Sequence, residues 1–327
     1  MEETNKSYYI EDVIIEGFKS FSELTNMSFK PGIGVIIGNN GVGKSNILDA
    51  ILWAFGEDDL LKLRCYNISE LFFWGSRDYK PANQISVQLT LKEFNNPNGI
   101  PIKIIRTCDR EGNNFYNING KDEDKKSFCN FLSGIGLKDV TKTIIRQDQI
   151  NDIFYLNPHE RMHLIREKYF NGDYDIVDVL KNTNPLFKTF VSTLVPKYDA
   201  EICVNHDSME IEISTGLTGK KKAHQLSGGE KAVVALALKS ALFKSLHSSI
   251  YFFDEVEPSL DYVNHKALQY FLKEISKQKQ LIIITHLRAT VEIADTLHGV
   301  RTRMDGSTFM KFYFVMDKRL LRLYKCC

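Results

Sequence analysis

At 327 residues, with 43% hydrophobic and 25% charged residues, the chain has the composition of a soluble globular protein with a large core. Lysine and arginine number 42 against 41 acidic residues, so bulk charge gives no case for nucleic acid or a membrane surface, and any DNA contact has to come from a local patch. No apolar run approaches the ~20 residues of a membrane span, and six scattered cysteines with no C-x-x-C pair fit free thiols in a reducing setting better than a disulfide framework.

The start, MEETNKSYY, is polar and acidic, unlike a signal peptide, and nothing else in the chain supports reading the terminal Cys326-Cys327 as a lipid site. In chain order, a strand is predicted over 13–18 and a second over 34–38, followed by a helix over 44–55. ISVQLTLK (85–92) alternates as a half-exposed strand. A further strand over 102–108 precedes a hairpin at FYNINGK, and helices are predicted over 123–133 and 159–169. The stretch 171–184, polar and turn-rich, is predicted to join two lobes, 1–170 and 185–327.

The second half begins with an alternating strand over 209–214. HQLSGGEKAVVALALKSALF then places a glycine turn against a helix apolar on every face, the pattern of a core helix. Two apolar strands, SIYFFDE and LIIITH, flank a helix over 262–277. Short apolar runs alternating with helices predict a parallel sheet buried on both faces, and the alternating strands of the first half predict an attached antiparallel sheet, an α/β fold.

Three local patterns carry chemistry. GNNGVGKS, from Gly38 to Ser45, matches G-x-x-x-x-G-K-[ST] between a strand and a helix, the context of a P-loop. The backbone around Gly38, Asn39, Asn40, Gly41 and Gly43 would cradle phosphate, with Asn46 just inside the helix; Lys44 would reach the β/γ oxygens and Ser45 would hold Mg²⁺. In YFFDE, Asp254 ends a buried strand and would complete the metal shell, while Glu255 would orient or deprotonate the attacking water. The third pattern, Ser227-Gly228-Gly229, reads either as the cap of a core helix or as an anion site at its exposed N-terminus.

LSGGE (226–230) resembles the signature of ATP-binding-cassette ATPases. The resemblance implies that Ser227 and the Gly228-Gly229 turn, with the Gly229 N–H, bind the γ-phosphate held by another protomer's P-loop. It further implies that Gln147, in IIRQDQI, is the Q-loop glutamine contacting Mg²⁺ and water, that His286 is the switch histidine, and that Asp261, in EPSLD, is the D-loop aspartate at the dimer interface. The flanks YIEDVIIEGFKSF, KLRCYNISELFFWGS, YKPANQISVQLTL and NFYNINGK, with LSGGEKAVVALAL and FFDEVEPSLD, resemble heads of the SMC (structural maintenance of chromosomes) ATPases over about residues 8 to 317.

That resemblance implies an ABC-type P-loop head that binds ATP and Mg²⁺ and dimerises head to head around two nucleotides, with itself or with another SMC-like head. Hydrolysis would release the pair, in chromosome organisation or DNA maintenance. It also implies that Arg64 extends towards nucleotide and DNA, the alternative being a solvated surface arginine, and that Lys19 lies beside the phosphates. A kleisin-type subunit would bind near FMKFYFVMDKR. Lys220 to Lys222 form a basic run that is either a solvated loop or a contact to a phosphate backbone. The implied location is cytoplasmic and chromosome-associated, or nuclear in a eukaryote. The chain departs from the family in having no coiled-coil arm and hinge between its lobes, Asn39 and Val42 where proline and serine are preferred, and Pro258 in the D-loop. An armless head that regulates a full-length SMC partner is one alternative function. A DNA-repair ATPase is another, and a transporter subunit is disfavoured by the flanks.

Overall fold

A computed structural model describes residues 6–170, 175–214, 219–256 and 262–316. In chain order the strands are β1 (Tyr8–Glu16), β2 (Thr25–Ser28), β3 (Ile33–Ile37), β4 (Gln84–Glu93), β5 (Ile102–Asp109), β6 (Asn114–Ile118), β7 (Lys121–Glu123), β8 (Ile144–Arg146), β9 (Asp199–Val204), β10 (Met209–Ser214), β11 (Lys221–Lys222), β12 (Ile250–Asp254), β13 (Gln280–Ile284), β14 (Thr296–Thr302) and β15 (Thr308–Val315). The helices are α1 (Lys44–Ala54), α2 (Lys125–Gly134), α3 (Pro158–Ile165), α4 (Ile176–Leu194), α5 (Gly228–Phe243), α6 (Tyr262–Ser276) and the short α7 (Arg288–Val291).

The central sheet has the order β15-β14-β3-β13-β12-β8 and is parallel except for its edge strand β15. Its inner strands are apolar at nearly every position because both faces are covered. Along β12, Tyr251 and Phe253 enter a core shared with α4, α5, β9 and β10, while Ile250 and Phe252 enter a second core shared with α1, β1, β4 and β5. Along β13, Leu281 and Ile283 divide from Ile282 and Ile284 in the same way, as the two-residue period of a strand requires. A six-stranded antiparallel sheet, β2-β1-β4-β5-β6-β7, roofs the second core, and β11-β10-β9 form a third sheet over the first.

Three local readings change. The first strand begins at Tyr8 rather than Val13 and ends before Gly17, whose φ of 67° turns the chain. The helix predicted over 159–169 is α-helical only to Ile165; Arg166–Phe170 widen into a π turn that buries Tyr169 and Phe170. The predicted join is shorter than 171–184, since α4 starts at Ile176, capped by the Asp175 carboxylate, which accepts from the Val177 N–H at 3.0 Å. Ile176, Leu180, Thr183, Phe187, Val191 and Leu194 form its buried stripe, spaced three or four apart. Pro185 inside the helix and the polar residues on its outer side disguise that period in the sequence.

Register positions the chemistry. Asp254 at the end of β12 lies opposite Arg146 at the end of β8 and Ile284 at the end of β13, and Ile284 in turn lies opposite Ile36 of β3. Four strands therefore release their following loops at one edge of the sheet, where ligands of open α/β sheets bind.

Candidate functional site: a phosphate cradle at the sheet edge

β3 ends at Ile37 and the chain turns through 38–43 into α1. Gly41 and Gly43 adopt φ of 78° and 94°, the left-handed region in which a side chain is strained. A Cβ on Gly43 would collide with the hydroxyls of Thr308 and Ser20, whereas one on Gly41 would point into open space. Gly43 is the N-cap of α1 and supplies no side-chain cap; the Asn46 N–H turns back to the Gly43 carbonyl at 3.1 Å, and the N–H groups of Lys44 and Ser45 are left for a ligand.

The Lys44 side chain is buried and folds back over this loop. Its ammonium donates to the carbonyls of Gly38 and Asn39, both at 2.9 Å, and lies 3.2 Å from Glu255 Oε1 and 3.1 Å from His286 Nε2. Glu255 Oε1 is itself 3.0 Å from His286 Nε2. An ammonium only donates, so Nε2 serves one neighbour at a time: unprotonated it accepts from Lys44, protonated it donates to Glu255. Glu255 sits at φ 52°, a left-handed backbone that turns its side chain off the strand line towards Lys44.

Beside this trio the Ser45 hydroxyl donates to Asp254 Oδ1 at 3.0 Å. Burial raises the Asp254 carboxyl from its ordinary value, against the opposing pull of Arg146, 3.4 Å away, and of the Ser45 hydrogen bond. A paired hydroxyl and carboxylate form a hard oxygen set suited to Mg²⁺, whose charge would favour the ionised form.

A second buried carboxylate, Asp49, one helical turn beyond Ser45, was not singled out from the sequence. It accepts from Lys19 Nζ at 2.6 Å, from Arg64 Nη2 at 2.6 Å and from Arg146 Nη2 at 2.7 Å. Burial alone would raise its pKa, but Arg146, Lys19 and Arg64 together hold it below the usual aspartate value. The available signals were an acid on the apolar side of α1 and an arginine directly before Gln147.

These elements surround a cavity of about 690 Å³ lined by Asn40, Gly41, Gly43, Lys44, Ser45, Asn46, Arg64, Arg146, Gln147, Asp148, Asp254 and Glu255. Asn40, Gly41 and Gly43 to Asn46 of the expected loop therefore meet Gln147, Asp254 and Glu255 there, Gly38 and Asn39 touch Lys44 through their carbonyls without lining the cavity, and His286 joins through Lys44 and Glu255. Arg64 is not a free surface arginine, because Asp49 and Asn46 Oδ1 (3.0 Å) hold it against the cavity wall. The Lys19 ammonium is committed to Asp49 and the Leu63 carbonyl, and Lys19 lines not this cavity but a smaller one that adjoins it at Asn46 and Arg64.

Ser227, Gly228 and Gly229 do not line it either. Ser227 caps α5 in a capping box, accepting from the Glu230 N–H at 3.4 Å while Glu230 Oε2 accepts from the Ser227 N–H at 2.6 Å. Tyr198 and Lys221 also bind Glu230, and against the upward push of burial these hydrogen bonds lower its pKa to about 2. Ser227 and Gly228 remain exposed, although α5 is buried from Ala232 to Phe243. The basic run is partly neutralised, with Lys220 on Glu212 (2.9 Å) and Lys221 on Glu230 (3.3 Å). Asp261 and Pro258 lie outside the described residues. At the far edge of the sheet, β15 exposes Tyr313, Phe314 and Val315. Among the described residues, no helix is long and apolar enough to cross a membrane.

Residues 9–308 match the RecF/RecN/SMC N terminal domain family. The chromosome partition protein Smc of Halothermothrix orenii is 34% identical over 186 residues, 54% of this chain but 16% of that protein. The Smc of Methylococcus capsulatus is 33% identical over 167 residues, 48% of this chain and 14% of that protein. The chain thus spans less than a fifth of these relatives' length. Among solved structures, the SMC head domain from Thermotoga maritima superposes with a TM-score of 0.68 at 32% identity, covering 94% of this chain and 99% of that one. An Smc head bound to the C-winged helix domain of ScpA superposes with a TM-score of 0.82 at 29% identity, covering 95% and 99%. With the match running through the P-loop, Asp254 and the signature turn, the chain belongs to the RecF/RecN/SMC N-terminal domain family, as an SMC-type head of an ATPase family.

Proposed function

We propose that this head binds Mg-ATP in the sheet-edge cavity, pairs with a second head across two nucleotides, and hydrolyses ATP to separate. The observation that carries this is the convergence of Lys44, Glu255 and His286 beside the Ser45–Asp254 pair, at the mouth of an uncapped helix. Ser45, Asp254 and Gln147 would hold Mg²⁺, which when bound neutralises charge on the phosphoryl oxygens. The N–H groups of the loop and of the first turn of α1 would bind the phosphates, and Lys44 would exchange its carbonyl partners for phosphate oxygens. Glu255 would take the proton of the attacking water, and His286 would orient Glu255 through the hydrogen bond at Nε2.

The exposed signature turn supports pairing. Ser227 and the N–H groups at Gly228 and Gly229 lie outside this chain's own cavity, which leaves them for a nucleotide held by another head. Asp261, a residue expected at that interface, is proposed by resemblance alone. A bridging subunit at β15 is proposed from its exposed Tyr313, Phe314 and Val315, with the Smc head–ScpA complex as precedent. Arg64, held at the cavity rim, is proposed to reach nucleotide or DNA.

A second reading, a head that pairs with and regulates a full-length SMC partner, is favoured by one feature. Only residues 171–175 separate the buried Phe170 from α4, where the family's arm would be inserted.

The test is sedimentation of Glu255→Gln with and without Mg-ATP. A monomer-to-dimer shift that disappears on adding Ser227→Arg supports pairing with self. An ATP-bound monomer overturns self-pairing and transfers the reading to a different partner head.

A further inference from the structure

The cavity at the P-loop suits phosphates and a metal, but none of the residues lining it is aliphatic or aromatic, so it offers a base no ring to stack on. A second cavity of about 380 Å³ shares Asn46 and Arg64 with it, and its wall includes Trp74. The Trp74 indole is 66% exposed, while the only other tryptophan, Trp53, is buried. Resting on the nucleotide reading above, we propose that Trp74 is the stacking platform for the base of the nucleoside triphosphate, whose phosphates occupy the neighbouring P-loop.

The indole stands on a fixed mount. The Phe73 N–H donates to the Gly17 carbonyl at 2.8 Å and the Phe73 carbonyl accepts from the Ala82 N–H at 2.9 Å, so the peptide before Trp74 is held on both sides. Gly75, at φ 94°, follows immediately and turns the chain back against Pro81. On the shared wall, Arg64 is held by Asp49 and Asn46, leaving a planar guanidinium between the two cavities. A large exposed indole beside a phosphate cradle gains cover from a base, and it reads the π face rather than the edge. The platform therefore favours a base over none and discriminates weakly among bases.

The test compares Mg-ATP with Mg-tripolyphosphate, which has the phosphates and no base, on the wild-type chain, Trp74→Ala and Trp74→Phe. ATP is expected to change tryptophan emission and tripolyphosphate to leave it unaltered; in Trp74→Phe, which keeps only the buried Trp53, the ATP response disappears. Base–aromatic stacking corresponds to a loss of about ten-fold or more in ATP affinity for Trp74→Ala. Tripolyphosphate affinity stays unchanged, and Trp74→Phe retains most of the ATP affinity. Equal effects of Trp74→Ala on both ligands, or none on either, overturn the platform while leaving the phosphate reading intact. Failure of both ligands to bind the wild-type chain overturns the platform together with the reading beneath it.

Discussion

The Ser45 hydroxyl donates to Asp254 Oδ1 at 3.0 Å, joining the first turn of α1 to the end of β12 across 209 positions of sequence. Burial raises the pKa of the Asp254 carboxyl, so its charge is costly. An acid whose folded pKa lies above its unfolded value favours folding less as pH rises through that interval, and the penalty is fully present at neutral pH. Asp254→Asn should therefore raise the melting temperature of the nucleotide-free head at pH 7 and abolish the Mg²⁺ dependence of ATP binding. A scan with and without Mg-ATP measures both. A variant less stable than wild type would show that the carboxylate is stabilised by its partners rather than strained.

Asp49 behaves in the opposite sense. Its pKa is lowered, so its contribution to stability is present above the ordinary aspartate value and is lost as pH falls through the folded one. Removing the carboxylate strands Lys19, Arg64 and Arg146 without their common partner. Asp49→Ala should cost about 3–5 kcal/mol in denaturant unfolding, the range for breaking a buried ion pair.

Glu255 is expected to act as general base. Glu255→Gln should lower the ATPase kcat by about 10²- to 10⁴-fold with little change in ATP affinity. His286→Ala, which removes the contacts to Glu255 and Lys44 but keeps the proposed base, should cost less in kcat than Glu255→Gln. Steady-state hydrolysis alongside equilibrium ATP binding separates these effects, and a large loss of affinity in Glu255→Gln would move this residue from chemistry to binding.

The observed cap at Ser227 and its proposed role in pairing are divided by one substitution pair. Ser227→Ala removes the side-chain cap of α5 and should cost about 1 kcal/mol in stability. P-loop ATP binding by the monomer should be unaffected, because Ser227 lies outside that cavity. Ser227→Asn, which keeps a capping acceptor but is bulkier, should restore the stability without restoring ATP-dependent pairing. Denaturant melts and sedimentation read the two roles independently.

The P-loop was legible because its residues are contiguous and each has a local physical role: glycines for left-handed turns, Lys44 for the oxygens, and Ser45 at the start of a helix. The parallel sheet was legible for a similar reason, since IGVII, IYFF and LIII are apolar at successive positions, which burial on both faces explains. Helix α4 was hidden by Pro185 and by a polar outer face whose meaning depends on what packs beneath it. Asp49 was hidden because a lone acid on an apolar helix has no visible partner until Lys19, Arg64 and Arg146 arrive from three other segments. Lys19 was expected beside the phosphates by resemblance alone; its bond to Asp49 was not legible in the sequence. The sequence by itself determined which polar groups stand at the strand ends and the buried strands that carry them. Only the tertiary structure decided which charges face the cavity, because a buried carboxylate attracts whichever cations the register of the sheet brings within reach.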